Sequence, residues 1–121
     1  MMGAIIVSKT ETLYPCLALH FKTIGLPYAE LENDSICLNP KNEFRFMFLN
    51  RDQYSMHFDV QENPVEARER GYVFGYSVEC RSEVLFCQIV HTIPPEIDIL
   101  ICDSNGDLYS PREVSPDTIS L

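Results

Sequence analysis

From residue 28 onward, apolar side chains recur at every second position in short runs, and each run stops at a cluster of turn-forming residues. Phe44, Phe46 and Phe48 alternate with Arg45, Met47 and Leu49. Met56, Phe58 and Val60 alternate with Ser55, His57, Asp59 and Gln61, and Tyr72, Phe74, Tyr76 and Val78 repeat the pattern. A period of two places successive side chains on opposite faces of a strand, so one face of each segment is apolar. The punctuation is Asn33-Asp34-Ser35, Asn39-Pro40-Lys41-Asn42 and Asn50-Arg51-Asp52. These residues favour tight turns through Asx contacts, tolerance of left-handed backbone and a fixed proline φ. Connections this short join antiparallel neighbours, because a parallel pair needs a crossover of a dozen residues or more. The chain is therefore expected to fold around an antiparallel sheet.

Before that alternation lies the clearest helical signal, expected over about residues 12–25. Thr12 caps it, and Pro15 falls in the first turn, where a missing N–H does little harm. Leu13, Leu17, His20, Phe21 and Ile24 recur at helical spacing. Lys22 suits the C-terminal end of the dipole, Gly25 ends the helix and Pro27 confirms the stop. A second, short helix is expected over about 63–70, with Asn63 as cap, Pro64 at the first position and Gly71 as terminator.

Strands are expected at Ala4 to Ser8, at two short stretches within 28–38, and at 72–79, where Gly75 marks a possible bulge. Val84 to Ile93 fits either a helix starting at Ser82 and burying Leu85, Ile89 and Ile93, or a strand folding back on 72–79. Its valine and isoleucine content favours the strand. Ile97 to Cys102 reads as a buried strand, and Asn105-Gly106 as a tight primed turn leading to Leu108 and Tyr109. Pro111 and Pro116 mark an irregular C-terminus. The expected class is α+β: one domain over 1–121, an antiparallel multi-stranded sheet packed against one main N-terminal helix.

Composition narrows the function. The 121 residues carry 9 Lys+Arg against 18 Asp+Glu, a formal net charge of −9. No basic footprint exists for nucleic acid, and hydrophobic residues at 45% argue against a disordered acidic tail. No signal-peptide core is seen, and no apolar run approaches the ~18 residues that read as a membrane span. Cys16, Cys37, Cys80, Cys87 and Cys102 are odd in number, widely spaced and free of any Cys-x-x-Cys pattern. They read as reduced, mostly core thiols of a cytoplasmic protein.

Signals for catalysis are few. The chain has no Gly-rich phosphate loop, no Gly-x-Ser-x-Gly elbow and no His-Glu-x-x-His. His57 and Asp59 share a strand face, a pairing that can orient an imidazole or offer two metal ligands. Without a nucleophile or third ligand it reads as an exposed pair on a polar face. Asp103-Ser104-Asn105-Gly106-Asp107 resembles the start of a calcium loop but has Val114 where the closing glutamate belongs. No catalytic group, metal or cofactor is expected. Glu30, Glu32 and Asp34 stand two apart, and such carboxylates on one strand repel unless solvated or used by a positive partner. Acidic surfaces steer basic proteins at rates up to ~10⁸–10⁹ M⁻¹s⁻¹ at low salt.

In size, charge and lack of a catalytic set, the chain resembles bacterial immunity proteins, which occlude toxins that are often basic nucleases. That resemblance implies contact through Glu30, Glu32, Asp34 and Asp59, then Asp103 and Asp107, with Tyr28 and Tyr54 as aromatic anchors. It implies a basic protein partner and neither nucleic acid nor membrane; a homodimer is left open. Residues 13–49 also resemble the first half of class I type III secretion chaperones. The shared order is a helix ending at Ile24-Gly25-Leu26-Pro27, then Tyr28 to Asn33, Ile36-Cys37-Leu38 and Phe44 to Leu49. That likeness implies a dimer holding an extended effector segment. The vicinal oxygen chelate fold is a third resemblance, with 82–93 as a second helix and Asp103 to Asp107 as a late turn; it implies a small ligand-binding protein or enzyme.

Overall fold

The structure, a computed structural model, describes residues 3–10, 13–26, 28–31, 35–38, 46–48, 65–72, 74–80 and 82–121. Its elements run β1 (Gly3–Ser8), α1 (Leu13–Thr23), β2 (Tyr28–Leu31), β3 (Ser35–Leu38), β4 (Phe46–Phe48), α2 (Val65–Glu69), β5 (Phe74–Glu79), α3 (Glu83–His91), β6 (Ile99–Cys102) and β7 (Leu108–Tyr109). The strands form one sheet in the order β2-β3-β4-β5-β1-β6-β7, antiparallel at every pairing. The α+β class expected from the alternation is the class observed. The strand expected around Met56 to Val60 lies outside the described residues, as do Thr12, Asn63 and Pro64.

The sequence reading of 84–93 as a strand is corrected: Glu83–His91 is a helix. The reason is topological. Strand β1 sits between β5 and β6 and runs against both, so β5 and β6 point the same way. Two strands of equal direction cannot be joined by a hairpin, and α3 supplies the crossover. Ser82 caps it, its side chain accepting from the Leu85 N–H at 3.2 Å. Phe86, Cys87, Ile89 and Val90 are buried, while Leu85 is only half-buried.

Helix α1 buries Leu13, Leu17 and Phe21, each at 1% exposure or less. Burial of this kind contributes on the order of 1.5–3 kcal/mol per side chain. Ile24, expected on the same stripe, is instead exposed. The helix has ended by then: Gly25 turns left-handed at φ +77°, the Leu26 N–H reaches back to the Phe21 carbonyl, and Gly25 N–H to that of Lys22. This double bond pattern closes the helix and packs Leu26 against the core in place of Ile24.

Among the described residues, the two faces of the sheet carry core clusters of unequal size. Ala4, Ile6, Ile36, Leu38, Val78 and Ile101 meet α1 and α3 on one face. On the other, Ile5, Val7, Leu100 and Cys102 pack with Ala67 of α2 and with Tyr72. Gly75 pairs with Val7 in unbroken register, so the expected bulge is absent from β5. The C-terminal residues are irregular, as expected, yet they are tied down, with Val114 and Ile119 buried in the helix-side core. No described helix is long and apolar enough to cross a membrane.

Candidate functional site

The acidic residues singled out in the sequence are divided by the strand order. Glu30 lies in β2 at one margin of the sheet, across from Ile36 of β3. Asp103 and Asp107 flank the β6–β7 connection at the other margin. Six strand spacings separate the margins, roughly 29 Å at ~4.8 Å per strand. The two groups therefore cannot act as one charge cluster. Glu32, Asp34, Tyr54, Asp59 and His57 lie outside the described residues. Tyr28 is half-buried against the helix-side core, so part of its surface is already used within the fold.

Asp103 is held by its own chain. It is 5% exposed, and its Oδ1 accepts the N–H groups of Asn105 at 3.0 Å and Asp107 at 3.1 Å. Its Oδ2 accepts the Ser120 N–H at 3.1 Å. The Ser104 N–H reaches the Ser120 carbonyl at 2.8 Å beside it. One carboxylate thus sets the hairpin and pins the C-terminal segment to it. The connection itself is not the two-residue primed turn expected from Asn105-Gly106. Asp103 N–H donates to the Asp107 carbonyl and Gly106 N–H to that of Asp103, leaving a three-residue loop with Gly106 at φ +84°. Burial, with the carboxylates of Asp103 and Asp107 beside it, holds the Tyr109 phenol above its ordinary range. Asp107 remains exposed.

A second polar cluster, not anticipated from the sequence, closes the end of β1. Tyr72 Oη donates to Asp98 Oδ1 at 2.6 Å, and Lys9 Nζ lies 3.3 Å from Oδ2. The Lys9 ammonium also stands 4.9 Å from the Tyr72 ring centroid and the Arg70 guanidinium 5.9 Å from it. Burial, then the bond to Asp98, pushes the Tyr72 phenol up to about 12. The Tyr72 hydroxyl in turn holds the Asp98 carboxyl below its usual range, with Lys9 adding to the effect. The arrangement clamps the segment after α2 onto the sheet end, with the Asp98 carboxylate shared between the Tyr72 hydroxyl and the Lys9 ammonium.

The clamp makes stability pH-dependent in a defined direction. Because the folded Tyr72 pKa is raised, its contribution is complete below about pH 10 and is lost as pH climbs towards about 12. Asp98, with a lowered folded pKa, adds stability above its unfolded pKa that is lost as pH falls through the folded one. Tyr72→Phe is expected to cost about 1 kcal/mol at neutral pH, the half-exposed carboxylate limiting the loss. It should also make the alkaline decline shallower, what remains coming from Cys80, Cys87 and Tyr109, whose pKa values burial raises as well. Urea midpoints measured from pH 8 to 11.5 check this; an equally steep decline in the variant refutes it.

The two described histidines, His20 and His91, hydrogen-bond within the fold. His20 Nε2 lies 3.1 Å from the Thr92 hydroxyl oxygen, whose own hydrogen goes to the Ile89 carbonyl at 2.6 Å. That leaves the oxygen to accept from the ring N–H. Burial lowers the His20 pKa. His91 Nε2–H donates to the Val114 carbonyl at 2.8 Å. Cys37, Cys80, Cys87 and Cys102 are buried free thiols and Cys16 is exposed, and burial pushes the thiols of Cys80 and Cys87 up. Among the described residues, no three His, Cys, Asp or Glu gather as a metal site. No protein-family model, curated protein or solved structure matches the chain.

Proposed function

We propose that the protein is a non-enzymatic acidic inhibitor that binds a basic toxin domain, of nuclease type, and covers its active site. The observation that carries this reading is the acidic stretch of sequence that contains β2 and β3. Residues 28–38 hold Glu30, Glu32 and Asp34 and no lysine or arginine, in a chain of net charge −9. Among the described residues β2 is the outermost strand on its side of the sheet, and Glu30 lies in it. The carboxylates speed encounter and set orientation, while a few buried anchors supply most of the affinity. Asp107 at the far margin belongs to a different surface, and Asp103 is engaged within the fold.

Glu30→Lys combined with Glu32→Lys is expected to slow association at least about tenfold at low salt and to flatten its salt dependence. The test is co-purification from the native host at low salt, identification of what is retained, and association kinetics with that protein. Retention of a basic nuclease, released by salt and lost in the double variant, supports the proposal. Retention of only neutral or acidic proteins, or unchanged kinetics, overturns it.

A further inference from the structure

The loop between β6 and β7 carries the sequence's single Asn-Gly step, Asn105-Gly106, and both residues are exposed. Gly106 is required there by its left-handed φ of +84°. The same requirement places beside an asparagine the residue least able to obstruct attack on it. The Gly106 backbone nitrogen can close on the Asn105 side-chain amide carbon. The new N–C bond makes a cyclic imide, the nitrogen's proton goes to solvent base, and ammonia leaves. Water then opens the imide. Cleavage at the side-chain carbonyl yields aspartate, and cleavage at the main-chain carbonyl yields isoaspartate. A Cβ at Gly106 would meet nothing within 4 Å, so crowding does not guard the site. Hydrogen bonds do. All five backbone N–H groups from Asp103 to Asp107 are donated. Asp103 N–H goes to the Asp107 carbonyl at 3.1 Å, Ser104 N–H to the Ser120 carbonyl at 2.8 Å and Gly106 N–H to the Asp103 carbonyl at 3.0 Å. Those of Asn105 and Asp107 go to Asp103 Oδ1.

We propose that Asn105 is a self-modification site, converted to aspartate and isoaspartate by attack of the Gly106 nitrogen, and that the Asp103 carboxylate sets the rate by holding the loop shut. Attack requires the Gly106 nitrogen to lose its proton and the Asn105 backbone to rotate, and both break the bond to the Asp103 carbonyl. Asp103 resists that rotation from both sides of Gly106, through Asn105 and Asp107, and its Oδ2 ties the loop to Ser120 as well. Modification therefore proceeds from the opened loop, and its rate follows the opened fraction. The step is irreversible, so the products record how long the loop has stood open. Isoaspartate routes the main chain through the Asn105 side-chain carbons and lengthens the loop. Asp103 Oδ1 then no longer meets both N–H groups in line, and the C-terminal segment loses part of its anchor. Either product sets a further carboxylate between Asp103 and Asp107.

The test incubates the full chain beside a synthetic peptide of residues 101–109 at mildly alkaline pH. Conversion at residue 105 is followed by mass, and isoaspartate is separated from aspartate by chromatography. The full chain is expected to convert at least about tenfold more slowly than the peptide, and its Gly106 amide to exchange more slowly by a matching factor, because one opening frees the nitrogen for both. Asp103→Ala should bring conversion to within about threefold of the peptide while the Ile6 and Ile101 amides stay protected. In the purified isoaspartate product the Ser120 amide should exchange about tenfold faster than in the parent. A full chain that converts as fast as the peptide overturns the guarding role, and so does a folded Asp103→Ala that converts no faster than the parent. No conversion at residue 105 in either chain overturns the site itself. Should Asp103→Ala not hold its fold, the parent decides: conversion and Gly106 exchange slowed by different factors overturn the proposal, and equal factors uphold it.

Discussion

Replacing Phe86 with alanine is expected to cost about 3–5 kcal/mol of stability, whereas Val84→Ala should change it by no more than about 0.5 kcal/mol. Phe86 has no exposure and fills the space between α3 and the sheet, while Val84 on the same helix is 54% exposed. The contrast tests the element as well as the contact. In a strand, residues 84 and 86 share a face and would respond alike. In the helix they are separated by two residues, about 200° of rotation, and only one reaches the core. Small domains carry only ~5–15 kcal/mol in total, so the Phe86 variant should show a large drop in urea midpoint. Comparable losses in both variants would contradict the helix.

Asp103→Ala should cost about 2–3 kcal/mol, a large value for a side chain at a hairpin. The loss follows from three backbone N–H groups deprived of their acceptor at once, on Asn105, Asp107 and Ser120. Because Asp103 bridges the hairpin to the C-terminal segment, the variant should also free that segment before the rest unfolds. Amide exchange at Ser120 and Ile119 should then accelerate far more than at Ile6 or Ile101. Asp103→Asn keeps one acceptor oxygen and should fall between the two. A midpoint within about 0.5 kcal/mol of the parent would show that water replaces the carboxylate without loss.

Strands β4 and β5 were legible from the alternation around Phe46 and Phe48 and over Phe74, Tyr76 and Val78, because pleating translates directly into a period of two. Helix α1 was legible from Leu13, Leu17 and Phe21 and from Gly25, whose left-handed φ ends it. Helix α3 was not. Its buried face is Phe86, Cys87, Ile89 and Val90, with Ile93 just beyond its end, and the helical period is blurred in the sequence because apolar Val84 and Leu85 fall outside it, Val84 being exposed and Leu85 half-buried. Its β-branched residues then argue for a strand, and tertiary packing overrides them. The surviving signal was local: Ser82 as cap with Glu83 in the first turn.

The acidic residues show a different limit. Charge spacing locates carboxylates along a strand, yet it does not say which strands are neighbours. Only the strand order reveals that Glu30 and Asp103 stand at opposite margins. Asp103 did carry a readable hint, since an aspartate two residues before Asn105 is placed for an Asx turn. Ile24 was misjudged because the helical period was extended one residue past Thr23, where the helix ends ahead of the left-handed Gly25.

Strand β1 occupies an interior position although both its neighbours come much later in the chain: Gly3 waits for Glu79, and Ile5 for Cys102. A nascent chain therefore holds Ile5, Ile6 and Val7 without both ladder partners until residues 99–102 have left the ribosome. Folding of this topology is governed by closure of long loops, which places it among the slower, millisecond-to-second class of small domains. A lesion that delays β6 leaves an apolar strand with one open side in the meantime, which makes aggregation during synthesis the characteristic failure of such variants.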